Sequence, residues 1–361
     1  AETLRTEYDA VTGKNLGALI EGGSTNLALH SEDFSNAAWV KGDSTILSNE
    51  IVAPDDTFSV DKINAATSAS IAPRVSQTIT ANISSTYTIS YYVKKAEASI
   101  VQIYFGGSDV ANNPRVNFNL ITGSVGSQDN DIVSATINPI KNDIYRITAT
   151  VVAAVATGFT AGIVAIKSTT DTRAQANAWT IGDGVYVWGA QIEALPFATS
   201  YIRTDGGSVS RSADVLSVSP YVAINPSETS FNVVFDSSSP TTDYPMGFRH
   251  NALNSEHYRL YGSTSTSVVM HIATDHVVGI GGSWVVGEVQ NFSGTYDGAT
   301  SKLYVNKVFN SQDATSAPLV INPAEQLYIG MGSSNSQVIN GHISKFSTYA
   351  QALTQQEITL L

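Results

Sequence analysis

Four of the six histidines fall within one span, His250, His257, His271 and His276, with Asp275 beside the last. Imidazole and carboxylate are donors that transition metals take, so this group is tested first as a metal cluster. His271 lies inside an alternating run from Val268 to Ala273, and His276 lies in a turn. Ordinary strand and loop positions account for both, and no metal ligand is assigned. Hydrolysis of a glycosidic bond needs two carboxyl groups roughly 5–9.5 Å apart. Glu256, Glu288 and Asp297 stand isolated, and no Glu-x-Asp-x-Glu run occurs. The Gly-x-Ser-x-Gly, His-Glu-x-x-His and P-loop patterns are missing too. Gly279-Ile280-Gly281-Gly282 lacks the Lys-Ser/Thr of a phosphate cradle and reads as a turn leading into Trp284. Without cysteine the chain has no thiol nucleophile, disulfide or zinc-thiolate site. No catalytic residue is assigned.

Recognition is the chemistry left. A flat ring stacks on a pyranose, while amides and carboxylates bond its hydroxyls. The candidates are Tyr92, Tyr104 and Trp179 in the first half, and Tyr244, His257, Tyr258, Tyr261 and Trp284 in the second. Trp39 and Trp188 read as core. A net charge of −12 with no Lys/Arg block repels phosphates, which argues against a nucleic-acid partner. No apolar run reaches about 18 residues, so no membrane-spanning helix is expected. The acidic first residues lack the basic stretch of a signal peptide.

These side chains must be positioned by strands. Charged residues make up only 14% of the chain, which suits extracellular or virion β-structure better than a helical enzyme. Its 361 residues exceed what one core normally holds, so two domains are expected. Apolar residues alternate at Tyr87, Ile89, Tyr91 and Val93, at Val101, Ile103 and Phe105, and at Val116, Phe118 and Leu120. Tyr145, Ile147, Ala149 and Val151 alternate too, and Tyr186, Trp188, Ala190 and Ile192 follow. Turn signals such as Asn112-Asn113-Pro114 and Gly182-Asp183-Gly184 separate the runs. Phe231, Val233 and Phe235 open a second series. Within it Phe292, Gly294 and Tyr296 lead through Asp297-Gly298 to Leu303 and Val305, a hairpin. Thr354 and Glu357 form a capping box, so a short helix follows the last strand.

Two resemblances rest on quoted residues. The order Tyr296-Asp297-Gly298, Leu303-Tyr304-Val305-Asn306, Gly341-His342-Ile343 and Ala352-Leu353-Thr354 to Glu357-Ile358 resembles the laminin-G-like, concanavalin-type sandwich. Lys307 stands where that family usually has Gly, so a wider turn is expected after Asn306. Earlier, Thr25-Asn26-Leu27, Ser31-Glu32-Asp33-Phe34, Ala38-Trp39, Asp61-Lys62, Val187 to Glu193 and Ser200-Tyr201-Ile202 are similar to another family. They match carbohydrate-binding-module-like jelly rolls of tail fibre, tailspike and decoration proteins of tailed bacteriophages. The lead-in Tyr8-Asp9-Ala10-Val11-Thr12-Gly13 resembles the same proteins.

The expected fold is all-β: two tandem antiparallel β-sandwich (jelly-roll) domains, an extended N-terminal arm and a short C-terminal helix. Residues 1–25 are the arm, 26–203 the jelly roll, 204–214 a linker and 215–361 the laminin-G-like sandwich. The resemblances imply a virion protein, assembled in the host cytoplasm and exposed on the particle as a homotrimer. It would bind host surface polysaccharide, with the arm meeting other virion proteins. An architectural role without ligand and a depolymerase remain open. No cofactor is expected from the residues. Laminin-G-like domains often carry calcium, but no ligand set maps onto this chain; in the first domain Glu32, Asp33 and Glu193 are the acidic motif residues.

Overall fold

The period-two runs become strands. The structure, a computed structural model, describes residues 5–107, 112–154, 158–218, 224–237, 248–250, 257–264, 267–273, 277–281, 287–314, 327–330 and 338–361. Among the described residues every sheet is antiparallel and the only helix is Gln355–Leu360. The chain divides into a unit of Ser24–Arg211 and a unit that joins Ala1–Gly23 to Ser212–Leu361.

The stretch expected as an arm, described from residue 5, supplies strands to a sheet. Thr6–Tyr8 pairs with Asn15–Ile20, which pairs in turn with the late strand Gly341–Tyr349. Ala18 and Ile20 point into the core of that unit, where burying apolar area stabilises the pairing. The run is short and carries Gly17, so its periodicity is faint in the sequence. The stretch expected as a linker also holds a strand, since Val209–Arg211 pairs with Ser24–Asn26.

Within Ser24–Arg211, two six-stranded sheets face one another. One orders Ser134–Pro139, Tyr145–Val152, Thr86–Lys95, Gly184–Glu193, Phe58–Ala65 and Ser44–Val52. The other orders Ser124–Gln128, Arg115–Asn119, Ile100–Gly106, Phe159–Ile166, Arg74–Ile79 and Val40–Gly42. Tyr87, Ile89, Tyr91 and Val93 meet Val101, Ile103, Phe105 and Phe118 in one core. Trp39 joins it, 4.8 Å from Phe34, and its indole N–H donates to the His30 carbonyl. The run from Tyr186 to Ile192 does not keep one face. The register shifts between Trp188 and Gln191, and Gly189 adopts φ 60°. This bulge leaves Tyr186 and Trp188 in an outer cluster while Ala190 and Ile192 enter the main core.

The other unit holds a seven-stranded sheet. Its order is Thr6–Tyr8, Asn15–Ile20, Gly341–Tyr349, Thr229–Phe235, Gln290–Tyr296, Thr300–Val305 and Val308–Ala314. Phe231, Val233, Phe292, Tyr296 and Leu303 line its inner face against Leu260 and Met270. Gly294 is small for a packing reason, because a Cβ there would lie 2.2 Å from the Phe231 ring. Gly279 to Gly281, expected as a turn, belong to the strand Val277–Gly281 and pair with Ser267–Ala273. The turn after Asn306 is not widened. Val305 pairs with Val308, leaving a two-residue hairpin in which Asn306 and Lys307 both take positive φ, 48° and 69°. That is the primed turn a twisted hairpin selects.

Candidate functional site

The aromatic candidates of the first half are inside the fold. Tyr92, Tyr104 and Trp179 are each less than a tenth exposed. A cation covers each ring, with Arg146 at 5.3 Å from Tyr92, Arg173 at 5.0 Å from Tyr104 and the Lys167 ammonium at 4.5 Å from Trp179. Tyr92 also meets the edge of Trp188 at 5.2 Å. These rings do structural work as cation–π partners and offer no open face for a sugar. His257, Tyr258 and Tyr261 lie on the strand His257–Thr264, with their side chains outside the described set. Tyr244, Glu256, Asp275, His276 and Trp284 lie outside the described residues.

The acidic motif residues of the first unit serve separate purposes. Asp33 caps its own turn, accepting the backbone N–H groups of Ser35 and Asn36. Glu32 accepts from the Tyr201 hydroxyl at 3.1 Å. Glu193 is fully buried and accepts from the Ser24 hydroxyl at 2.6 Å and the Thr199 N–H at 3.0 Å. Among the described residues, no three His, Asp or Glu side chains converge as a metal site.

A different place gathers groups suited to recognition. On the seven-stranded sheet, Leu303 and Tyr296 face the core, so their neighbours Thr295, Lys302 and Tyr304 face outward. Thr295 pairs with Lys302, and Lys302 pairs with Gln312 on the edge strand. Two residues along, Tyr304 pairs with Phe309. Phe309 and Gln312 are three residues apart, and strict alternation would send them to opposite faces. A register shift beside Tyr304 brings them to the same one. The C-terminal helix and the residue before its cap supply the facing wall, with Ile358 and Leu353 packing on Tyr304. Its start is fixed by the capping box, in which Thr354 Oγ1 accepts from the Glu357 N–H and Glu357 accepts from the Thr354 N–H at 2.7 Å.

Between sheet and helix lies a cleft of about 510 Å³, within the range of small-ligand sites. Phe309, 45% exposed, stands edge-on to Tyr304 at 5.9 Å and 73°. Burial pushes the Tyr304 phenol above its usual range, and its hydrogen bond to Thr295 opposes that shift. Tyr304 is therefore a neutral floor for Phe309. Asp297 uses Oδ1 to accept the backbone N–H groups of Ala299 and Thr300, at 3.0 and 2.7 Å. Gln355 is committed as well, accepting from the Phe309 N–H at 3.2 Å and donating to the Lys307 carbonyl at 2.9 Å. Lys302 and Gln312 line the cleft without a hydrogen-bond or ion-pair partner among the described residues. The lining thus combines a half-exposed ring, an ammonium, an amide and a carboxylate oxygen without a partner among the described residues. Asp297 is the one carboxylate among the described residues of the lining.

Sequence reasoning had singled out the strand that carries Lys302 and Tyr304, and the Tyr-Asp-Gly turn that carries Asp297. It missed Phe309 and Gln312. The available signal was the polar run after Lys307, which marks an edge strand with its side chains in solvent.

The fold is that of an all-β protein, and its C-terminal part is similar to the concanavalin A-like lectins. Residues 197–359 match the family model Laminin_G_3, described as the concanavalin A-like lectin/glucanases superfamily. No curated protein sequence matches the chain. Three solved structures are similar. The CBM40 of the Ruminococcus gnavus IT-sialidase, bound to α2,3-sialyllactose, is 12% identical over 38% of this chain and 83% of its own, with a TM-score of 0.33. A putative carbohydrate-binding protein from Bacteroides ovatus is 8% identical over 81% and 80%, with a TM-score of 0.33. Domains LG4-5 of the mouse laminin α1 chain are 9% identical over 98% and 95%, with a TM-score of 0.29.

Proposed function

We propose that this chain is a carbohydrate-binding protein that holds surface polysaccharide in the cleft at Phe309 without cleaving it. One observation carries the reading: a half-exposed ring shares a cleft with polar groups that have no partner among the described residues. An aromatic face for the pyranose and uncommitted donors and acceptors for its hydroxyls are the two needs of sugar recognition. We further propose display on a tailed-phage particle, as a trimeric fibre or decoration protein. The support is the run of motifs from Thr25 to Ile202. A single shallow site holds sugar near millimolar, about −4 kcal/mol. Many copies on one particle raise apparent affinity by about 10²–10⁴ without new contacts.

The test is a glycan array of bacterial surface polysaccharides probed with the full chain and with Phe309→Ala. Binding should fall at least about tenfold in the variant, the share of one stacking ring. Silence of the well-folded protein across the array would leave an architectural role. Release of reducing ends would instead establish a depolymerase.

A further inference from the structure

The cleft carries a charge that its surroundings do not answer. Lys302 sits at the middle of a three-strand rung, with Thr295 on one side and Gln312 on the other. Thr295 is almost fully buried, and the Tyr304 hydroxyl takes its side chain. Lys302 is partly buried, and its ammonium has no carboxylate within ion-pair distance among the described residues. Several other cations are paired, among them Lys62 with Glu97 at 2.8 Å, Arg74 with Asp43 at 3.0 Å and Lys141 with Asp56 at 2.6 Å. In a chain of net charge −12, a lining lysine left unpaired is a vacancy for an anion.

Its neighbour narrows the chemistry. Adjacent strands lie about 4.8 Å apart, so the Lys302 ammonium and the Gln312 amide can converge on one planar group with two acceptor oxygens. Asp297 adds a negative charge to the same cleft, which disfavours a doubly charged phosphate more than a singly charged carboxylate. Resting on the glycan reading above, we infer that the cleft selects an acidic sugar: a hexuronate ring stacks on Phe309 while Lys302 and Gln312 hold its carboxylate. The unused oxygen of Asp297 accepts from a ring hydroxyl.

The experiment uses the full chain and an array that prints hexuronate oligosaccharides beside their carboxyl-reduced counterparts, with Lys302→Gln and Phe309→Ala as variants. The wild type should prefer the hexuronate over the reduced glycan by at least about tenfold, the value of one charge-assisted hydrogen bond. Lys302→Gln should erase that preference, weakening the hexuronate at least about tenfold more than the reduced glycan. Phe309→Ala should weaken both glycans alike. Equal binding of the two glycans by the wild type, or a preference that survives Lys302→Gln, overturns the inference. In either case a loss in Phe309→Ala keeps the glycan reading intact. Absence of binding to every glycan, with no effect of Phe309→Ala, overturns both. Melting temperatures of the variants serve as the folding control.

Discussion

Glu7, Asp236 and His342 come from distant parts of the chain and meet in one ion-paired node. The imidazole Nδ1–H donates to Asp236 Oδ1 at 3.0 Å, and Nε2–H donates to Glu7 Oε2 at 2.7 Å. Only the imidazolium has two donors, so the node needs the charged form. The bonds to Asp236 and then Glu7 raise the histidine pKa to about 9. A raised histidine pKa gives stability that is complete below the unfolded value of about 6.5 and fades as pH climbs through about 9. His342→Gln should therefore cost about 1–2 kcal/mol at pH 6, discounted for the half-exposed Glu7 carboxylate, and little at pH 10. Thermal melts of both proteins across that range check it; a difference that does not shrink at high pH removes the charged node. At this scale the sequence was a weak guide. It exposes ring types but not their lids, so Tyr92, Tyr104 and Trp179 read as platforms although Arg146, Arg173 and Lys167 cover them.

Strands and turns were legible wherever a repeated period or a cap carried the information. The alternations around Tyr87–Val93 and Phe292–Tyr296 mark buried faces, and Thr354 with Glu357 starts the helix. Bulges break the inference because one extra residue reverses every later side chain. Gly189 does this between Trp188 and Gln191, and the shift beside Tyr304 does it for the cleft. The tight turn at Lys307 defied expectation for another reason: a side chain at φ 69° is tolerated at a cost. Asn306 helps to hold it, because Asn291 and Asn306 bond each other through Asn306 Oδ1 at 3.1 Å and the Asn306 N–H at 2.7 Å. Lys307→Gly relieves the strain but frees the unfolded chain, so a net gain of about 0.5 kcal/mol is expected. Urea titration measures it, and a loss of stability would mean that the Lys307 bond to the Thr359 carbonyl outweighs the strain.

The molecule as a whole is one unit interrupted by another. The chain leaves the unit of the seven-stranded sheet after Gly23 and returns at Ser212, and the inserted unit holds its own core from Ala28 to Ile192. Its two ends are ladder partners, Ser24 opposite Arg211, an arrangement under which insertions fold without disturbing their host. Residues 24–211 expressed alone should accordingly unfold in a single cooperative transition by calorimetry, and a broad non-cooperative melt would contradict this. A linear reading could not show the interruption, because Ala18 and Ile20 are the only core residues of the first strands, and their sheet is completed at Gly341–Tyr349.

That interruption bears on how the chain carries mechanical load. Ala18 pairs with Ile343 and Ile20 with Gly341 in opposite directions. A pull applied between residue 5 and residue 361 is therefore borne by the rungs of this seam, which must open one after another like a zip. Until the seam parts, tension bypasses the inserted jelly roll.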